Sequence, residues 1–458
     1  MQRKFVEQLT LVASVTKWTA YATIVGILVG LGTSAFLESL AWTTKMFGSN
    51  ANYFYFLPLA LVGSSFLVRW LAPDAEGHGT EKVIEAVHKR MGRIAFRVVP
   101  VKLAATVLTL AVGGSAGKEG PCAQIGAGLA SAFGGLLRLD DIDRRKLVIC
   151  GISAGFATVF GTPIAGALFG VEVLVLGQLL YDVLFPSFVA GVVGYHVATL
   201  LGVQYSREAA PFIPQMTGIS MLEMILLGMW CGLVALFLIE SMKFAHMAFA
   251  RLNWHYSLKA LLGGGLLVLI GAFLSPSYLG LGLDTIDQGL RGNLLPVGSV
   301  FWKGIATSIT LGCGGSGGVV TPIFYIGTAA GNLLARFLHE PTAAFSAIGM
   351  VALLAGAANT PIAASVMAIE LFGSAIAPNA AVACMVSFLI VGYRSIYPSQ
   401  VLGMQKSTSL KVSTGKTLAE FDHADMDRRS TSLLGFIEKG VNKVHHVKKG
   451  TRQDKHDG

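Results

Sequence analysis

Glu119 stands in the run Gly117-Lys118-Glu119-Gly120-Pro121, an acid between two glycines in a chain whose surroundings are apolar. A glycine-rich turn that feeds a proline into a helix leaves the helix's first amide N–H groups unpaired, and proline suits that turn because its missing N–H costs nothing there. Such a helix start carries about half a positive charge. Two of them converging inside a membrane can hold an anion without a lysine or arginine. Partial charges also let the ion leave, which a full counter-charge would resist. A carboxylate at this point mimics the anion. A glutamate at a helix start is also favoured by the dipole alone, but an ionisable group is expensive in a membrane core and marks function there. Glu119 is therefore the candidate gate, competing with the transported ion.

This chemistry needs a second helix start, and the chain repeats itself to supply one. GGSAGKEGPCAQIG (113–126) and GGSGGVVTPIFYIG (314–327) pair Ser115 with Ser316, Pro121 with Pro322 and Ile125 with Ile326, each 201 residues apart. TPIAGALFGVE (162–172) and TPIAASVMAIE (360–370) pair Pro163 with Pro361 and Glu172 with Glu370, each 198 apart. Two halves follow, residues 20–205 and 215–400. Gly/Pro-broken segments at matching positions of a repeat point to a central site, here 115–121 and 316–322. Whether the halves run parallel or inverted depends on the number of crossings between them, which the sequence leaves open.

The elements that position these turns are membrane helices. The 458 residues are 53% hydrophobic and 13% charged, with a mean hydropathy of +0.63, whereas a soluble globular chain carries about 25% charged residues. Apolar stretches at 20–37, 54–71, 98–114, 220–238, 257–274 and 376–392 approach the roughly 20 residues that cross a bilayer. Many others are shorter and interrupted, as tolerated only where the backbone is buried in protein or lines a polar cavity. Cys122, Cys150, Cys231, Cys313 and Cys384 stand singly among apolar residues, without metal or disulfide spacing. They read as packing residues, with no metal and no cofactor expected. The formal charge of +9 lies in loops and tail rather than in a nucleic-acid-binding patch, so no nucleic-acid partner is expected. Basic residues mark the cytoplasmic side. Arg3 and Lys4 put the N-terminus inside, and residues 406–458, with eleven Lys/Arg against seven Asp/Glu, put the C-terminus there too. The loops His88 to Arg97 and Arg138 to Lys146 fall on the same side. The chain divides into a transport domain, 1–405, and a loosely ordered polar tail, 406–458.

GKEGP (117–121), GISAGFATVFGTPIAGALFGVE (151–172), the 314–327 block and ALLAGAANTPIAASVMAIE (352–370) resemble the CLC family of chloride channels and proton/chloride antiporters over nearly the whole membrane part. The resemblance implies an all-α fold of two inverted halves built from short tilted helices. It also implies a homodimer with one pore per subunit in the lipid of the cell membrane, with chloride or another small anion as substrate. Glu119 then corresponds to the family's gating glutamate, with Gly117, Lys118 and Gly120 around it. The family's early serine, which coordinates the central anion, is matched by His78 in Gly77-His78-Gly79-Thr80. A neutral imidazole donates one hydrogen bond and a protonated one carries charge, so His78 can hold an anion and make its occupancy pH-dependent. Glu76 and Glu81 nearby read as helix-end, solvated groups. The family's GxFxP is Gly318-Val319-Val320-Thr321-Pro322 here, Val320 replacing the phenylalanine. The amides of 318–321 can still face the ion, and the Val-Thr-Pro variant resembles the fluoride-transporting branch, against which stand the unaltered GKEGP and His78. The anion-binding tyrosine of the family is matched by Tyr397, with Tyr393 as an alternative.

Coupled relatives place an inner glutamate directly after the position of Glu172, where this chain has Val173. Glu172 itself is turned about 100° away on a helix. The expectation is glutamate-gated chloride conduction, weakly or not coupled to protons. Proton/anion antiport, or selectivity for another anion such as fluoride, is the alternative. A cation-coupled carrier would show acids or amides at both broken segments, and an enzyme using His78 and Glu119 would need a nucleophile or metal cluster that has no recognisable spacing here. A tail of this length leaves no room for paired regulatory modules.

Overall fold

A computed structural model describes residues 2–48, 50, 52–205, 217–407, 410–421 and 425–426. Eight helices precede residue 205: α1 (Gln2–Gly48), α2 (Leu57–Leu71), α3 (Thr80–Lys89), α4 (Val98–Ala111), α5 (Glu119–Leu136), α6 (Asp141–Phe160), α7 (Pro163–Glu172) and α8 (Tyr181–Leu200). Eight follow residue 217: α9 (Gly218–Arg251), α10 (Tyr256–Phe273), α11 (Leu283–Leu290), α12 (Ser299–Gly312), α13 (Val320–Leu338), α14 (Thr342–Ala358), α15 (Pro361–Phe372) and α16 (Ala377–Val391). Among the described residues, six helical stretches are long and apolar enough to cross a membrane: Arg3–Gly48, Tyr53–Leu71, Tyr181–Leu200, Ser220–Arg251, Tyr256–Phe273 and Ser374–Val391. The stretch 98–114 forms only the 14-residue α4, shorter than a full span.

The repeat becomes a pseudo-two-fold arrangement, visible in polar contacts that each half makes reciprocally with the other. Ser115 Oγ meets Thr307 Oγ1 at 3.0 Å, and Ser316 Oγ meets Thr106 Oγ1 at 3.0 Å. The Ser115 N–H donates to Thr310 Oγ1 at 3.1 Å, and the Ser316 N–H to Thr109 Oγ1 at 3.2 Å. Exchange of this kind is the mark of two-fold symmetry. The second repeated block behaves alike. Glu172, at the end of α7, accepts the N–H groups of Ile362 and Ala363 that open α15, at 3.1 and 2.7 Å. Glu370 of α15 accepts those of Ile164 and Ala165 in α7, at 3.1 and 2.7 Å. Each acid caps the other half's helix, where an N-terminal dipole favours negative charge.

Helices approach closely where glycines remove side chains. A Cβ on Gly126 of α5 would lie 2.3 Å from the Gly151 carbonyl oxygen of α6, and one on Gly327 of α13 would lie 2.5 Å from that of Gly349 in α14. These matching crossings bring α5 and α13 to the centre. The five cysteines are free and buried, as their apolar neighbours imply.

The loops assigned to the cytoplasm lie together: Arg93 of one bonds Asp141 of the other at 2.8 Å. Beyond residue 405 the described tail is not loose. Strand β1 (Val175–Leu176) pairs in parallel with β2 (Val401–Leu402). The Leu418 N–H reaches the Gln400 carbonyl at 2.8 Å, and Leu418 joins a buried cluster with Leu176, Phe388, Tyr393 and Leu402. Lys406 Nζ donates to Asn359 Oδ1 at 2.7 Å and to the Phe388 carbonyl at 2.6 Å. A charge count over the tail could not show this, because the anchor combines backbone pairing, apolar packing and one lysine that folds back onto the helices.

Candidate anion site

The two glycine-rich turns meet. The Gly117 N–H donates to the Gly318 carbonyl at 2.7 Å and the Gly318 N–H to the Gly117 carbonyl at 2.6 Å, a single antiparallel bridge between the halves. From this bridge α5 begins at Glu119 and α13 at Val320, so both helix starts share one buried region, as the sequence predicts. Val319, Val320 and Thr321 are buried. Lys118 is half-buried and caps α5 without a side-chain bond to its amides.

Glu119 is fully buried. Its carboxylate turns across the bridge to the other half, accepting the Thr321 N–H at 3.1 Å and the Thr321 hydroxyl. It occupies the donors that an anion at the start of α13 would use. Space for it depends on Gly117, since a Cβ there would lie 2.2 Å from Glu119 Oε2.

A third segment closes the site from the side of α3. A Cβ on Gly79 would lie 2.4 Å from the Gly120 carbonyl oxygen, and one on Gly120 would lie 2.0 Å from the His78 carbonyl oxygen. Gly79 also has φ +77°, a left-handed conformation natural to glycine. His78 thereby sits next to the start of α5. Its ring centroid lies 5.6 Å from that of Tyr397, which is fully buried. Of the two tyrosines, Tyr397 is therefore the one at the site. The Tyr393 hydroxyl instead accepts the Lys406 N–H at 2.9 Å. His78 Nδ1, Thr80 Oγ1 and Tyr397 OH are all buried and make no hydrogen bond among the described residues. Buried polar atoms are ordinarily paired. Three unpaired ones at the start of one helix are suited to receiving an anion or water.

The outcome at the other acids is divided. Glu76 is exposed, facing Arg69 at 3.8 Å. Glu81 is not the solvated group its position suggests. It accepts the Ser399 N–H at 3.0 Å and the Ser399 hydroxyl at 2.5 Å, while its Oε2 is buried. Val173 is buried with its carbonyl bonded to Gln400 Nε2 at 2.8 Å. Glu172 is committed to capping α15, so it cannot substitute for an acid at position 173.

Two buried lysines escaped the sequence analysis. Lys102 Nζ donates to the carbonyls of Ala75 and Gly77 at 3.1 and 2.6 Å, holding the loop before His78. Lys303 Nζ donates to those of Leu279 and Gly280 at 3.3 and 2.6 Å. Both side chains are fully buried. They stand 201 residues apart, and extending the repeat offset upstream of the glycine motifs would have found them.

Known proteins resemble this chain over most of its length. The family model described as "Voltage gated chloride channel" matches residues 59–392. A "Chloride/fluoride channel protein" of Pseudomonas syringae pv. tomato is 38% identical over 412 residues, covering 87% of this chain and 90% of its own length. Among solved structures, a CLC-type fluoride/proton antiporter superposes with a TM-score of 0.80 at 27% identity, covering 84% of this chain and 98% of the other. A slow cyanobacterial chloride/proton antiporter gives a TM-score of 0.72 at 22% identity over 82% and 94% of the two chains, a likeness of fold. With two helix starts, a buried glutamate and this breadth of similarity in agreement, the chain belongs to the CLC family and has its fold, and it is an anion-transporting membrane protein.

Proposed function

We propose that the protein moves a small, strongly hydrated anion, fluoride in preference to chloride, along a path that the Glu119 carboxylate closes and opens. The observation that carries this reading is the carboxylate seated on the Thr321 N–H and hydroxyl at the joined starts of α5 and α13. A charge-dense anion needs strong, close donors to replace its water, and a hydroxyl, an amide and the unpaired His78, Thr80 and Tyr397 groups offer them. The preference for fluoride is supported by Val320 in place of an aromatic residue and by the two relatives whose names include fluoride. Gly117, Lys118 and Gly120 frame the gate. Gly79, Gly318 and Val319 shape the site by backbone approach. The role is transport rather than catalysis. The reading extends to a homodimer with one path per subunit, in the cell membrane with both termini cytoplasmic, as the family likeness and the shared face of the basic loops support.

Efflux from liposomes holding equal fluoride and chloride tests the preference, with fluoride leaving faster. His78→Ser keeps a donor but shortens the side chain, so room opens for the larger ion. The fluoride-to-chloride ratio is expected to fall by about 3- to 10-fold, the equivalent of one hydrogen bond. An unchanged ratio would reduce His78 to a packing residue, and faster chloride than fluoride in the wild type would favour the second reading, a chloride pathway, which the family model's description supports.

A further inference from the structure

We propose that Glu81 is the inner proton acceptor of this transporter, delivering protons from the cytoplasmic side to Glu119 where Val173 cannot. This rests on the reading of Glu119 as the gate. Three observations converge on Glu81. Its Oε2 is buried and makes no hydrogen bond among the described residues, while Oε1 is held by Ser399. Ser399 lies two residues from Tyr397, whose ring stands 5.6 Å from that of His78, and the His78 carbonyl packs on Gly120, the residue after Glu119. Gln400, the next residue, bonds the Val173 carbonyl at 2.8 Å, so Glu81 and Val173 flank the same short segment, 397–400. A carboxylate thus reaches that segment from α3 instead of from α7.

The path outward is also present. Glu81, Glu85 and Lys89 are spaced four apart on α3 and form one stripe of that helix. Glu85 and Lys89 pair at 3.5 Å at the end of α3 that leads into the basic loop assigned to the cytoplasm. The charged groups around Glu81 are Lys82 and Glu85 on its own helix, paired with each other at 3.4 Å. From packed elements come the Tyr397 phenol, the His78 imidazole and Lys102 of α4, which is bonded to the Gly77 carbonyl. Glu81 takes a proton from water at this face and becomes neutral. It then gives the proton, through the hydroxyls of Thr80 and Tyr397 or a water between them, to the Glu119 carboxylate. Neutral Glu119 holds Thr321 less strongly and yields the position to the anion, while Glu81 returns to its ionised form. No other reactant is needed.

The test reconstitutes the full chain in liposomes and reads two quantities: fluoride uptake driven uphill by a pH gradient at zero voltage, and fluoride efflux driven by a potassium–valinomycin voltage. Glu81→Gln is expected to lower proton-driven uptake at least tenfold while leaving voltage-driven efflux within about twofold. Retained uphill uptake in Glu81→Gln, or none in the wild type, overturns the proposal. In either case the gate reading is judged separately, by whether voltage-driven efflux loses its pH dependence in Glu119→Gln. If Glu81→Gln loses both fluxes through misfolding, Ser399→Ala decides. Removing one donor to a carboxylate disfavours its ionised form, so the pH at half-maximal uphill uptake should rise, and an unmoved midpoint overturns the proposal.

Discussion

Gly120→Ala is expected to lower anion flux on the order of 100-fold in a protein that still folds. The added methyl would stand 2.0 Å from the His78 carbonyl oxygen and 3.0 Å from Gly318 Cα, both of them backbone atoms that no rotamer change can move. Relief requires the start of α5 to withdraw by more than 1 Å from the other two segments. Overpacking of this kind costs about 1–3 kcal/mol, tolerable in so large a core. The donors, however, lose their common focus, and displacement on this scale lowers rates on the order of 100-fold. Flux in liposomes, beside size-exclusion behaviour of the purified variant, checks it. A variant with normal flux would mean that the three segments need not touch, and the site would have to lie elsewhere.

The second large effect is expected at the reciprocal caps. Glu172→Ala removes the acceptor for two N–H groups at the start of α15, and Glu370→Ala does the same for α7. A buried donor left without a partner costs about 1–3 kcal/mol, so the loss should be largest at the buried Ala363 amide and smallest at the exposed Ile164 one. Both variants should lower the thermal midpoint in detergent, and Glu172→Gln should recover part of the loss by keeping one carbonyl acceptor. These are stability effects only. In Glu172→Gln the ratio of proton-driven to voltage-driven flux should match the wild type. A changed ratio would return Glu172 to the proton path and contradict the capping role.

How far the sequence could be read follows from the range of its signals. The glycine motifs and the offset of 201 were legible because they are local patterns that symmetry writes twice, and Glu119 stood out as the acid that breaks the match. The encounter of Gly117 with Gly318 was legible for the same reason: two repeated helix starts are useful only if they converge. Lys102 and Lys303 could be found as a pair at the repeat offset, but their role could not. Nothing in VVPVKLAA or VFWKGIAT shows that an ammonium folds back onto carbonyls some 25 residues earlier. Glu81 was misread because its partner, Ser399, is 318 residues away, and charge pattern alone places an acid at the start of a short amphipathic helix in water. Tyr397 and Tyr393 were separable only by what each hydroxyl meets, and that depends on a tail whose composition gave no hint that it packs.

The central claim is that the Glu119 carboxylate and the transported anion compete for the Thr321 donors, and anion efflux as a function of pH, in wild type and in Glu119→Gln, tests it most directly. In the wild type, protonation removes the charge that binds Thr321 and the helix start, so flux should rise as pH falls. Glutamine has nearly the same shape and no titrating group. Its flux should be independent of pH between about 4 and 8, an interval that spans the ordinary carboxylate range, and at neutral pH it should equal or exceed that of the wild type. A folded Glu119→Gln protein that keeps the wild-type pH dependence would contradict the account.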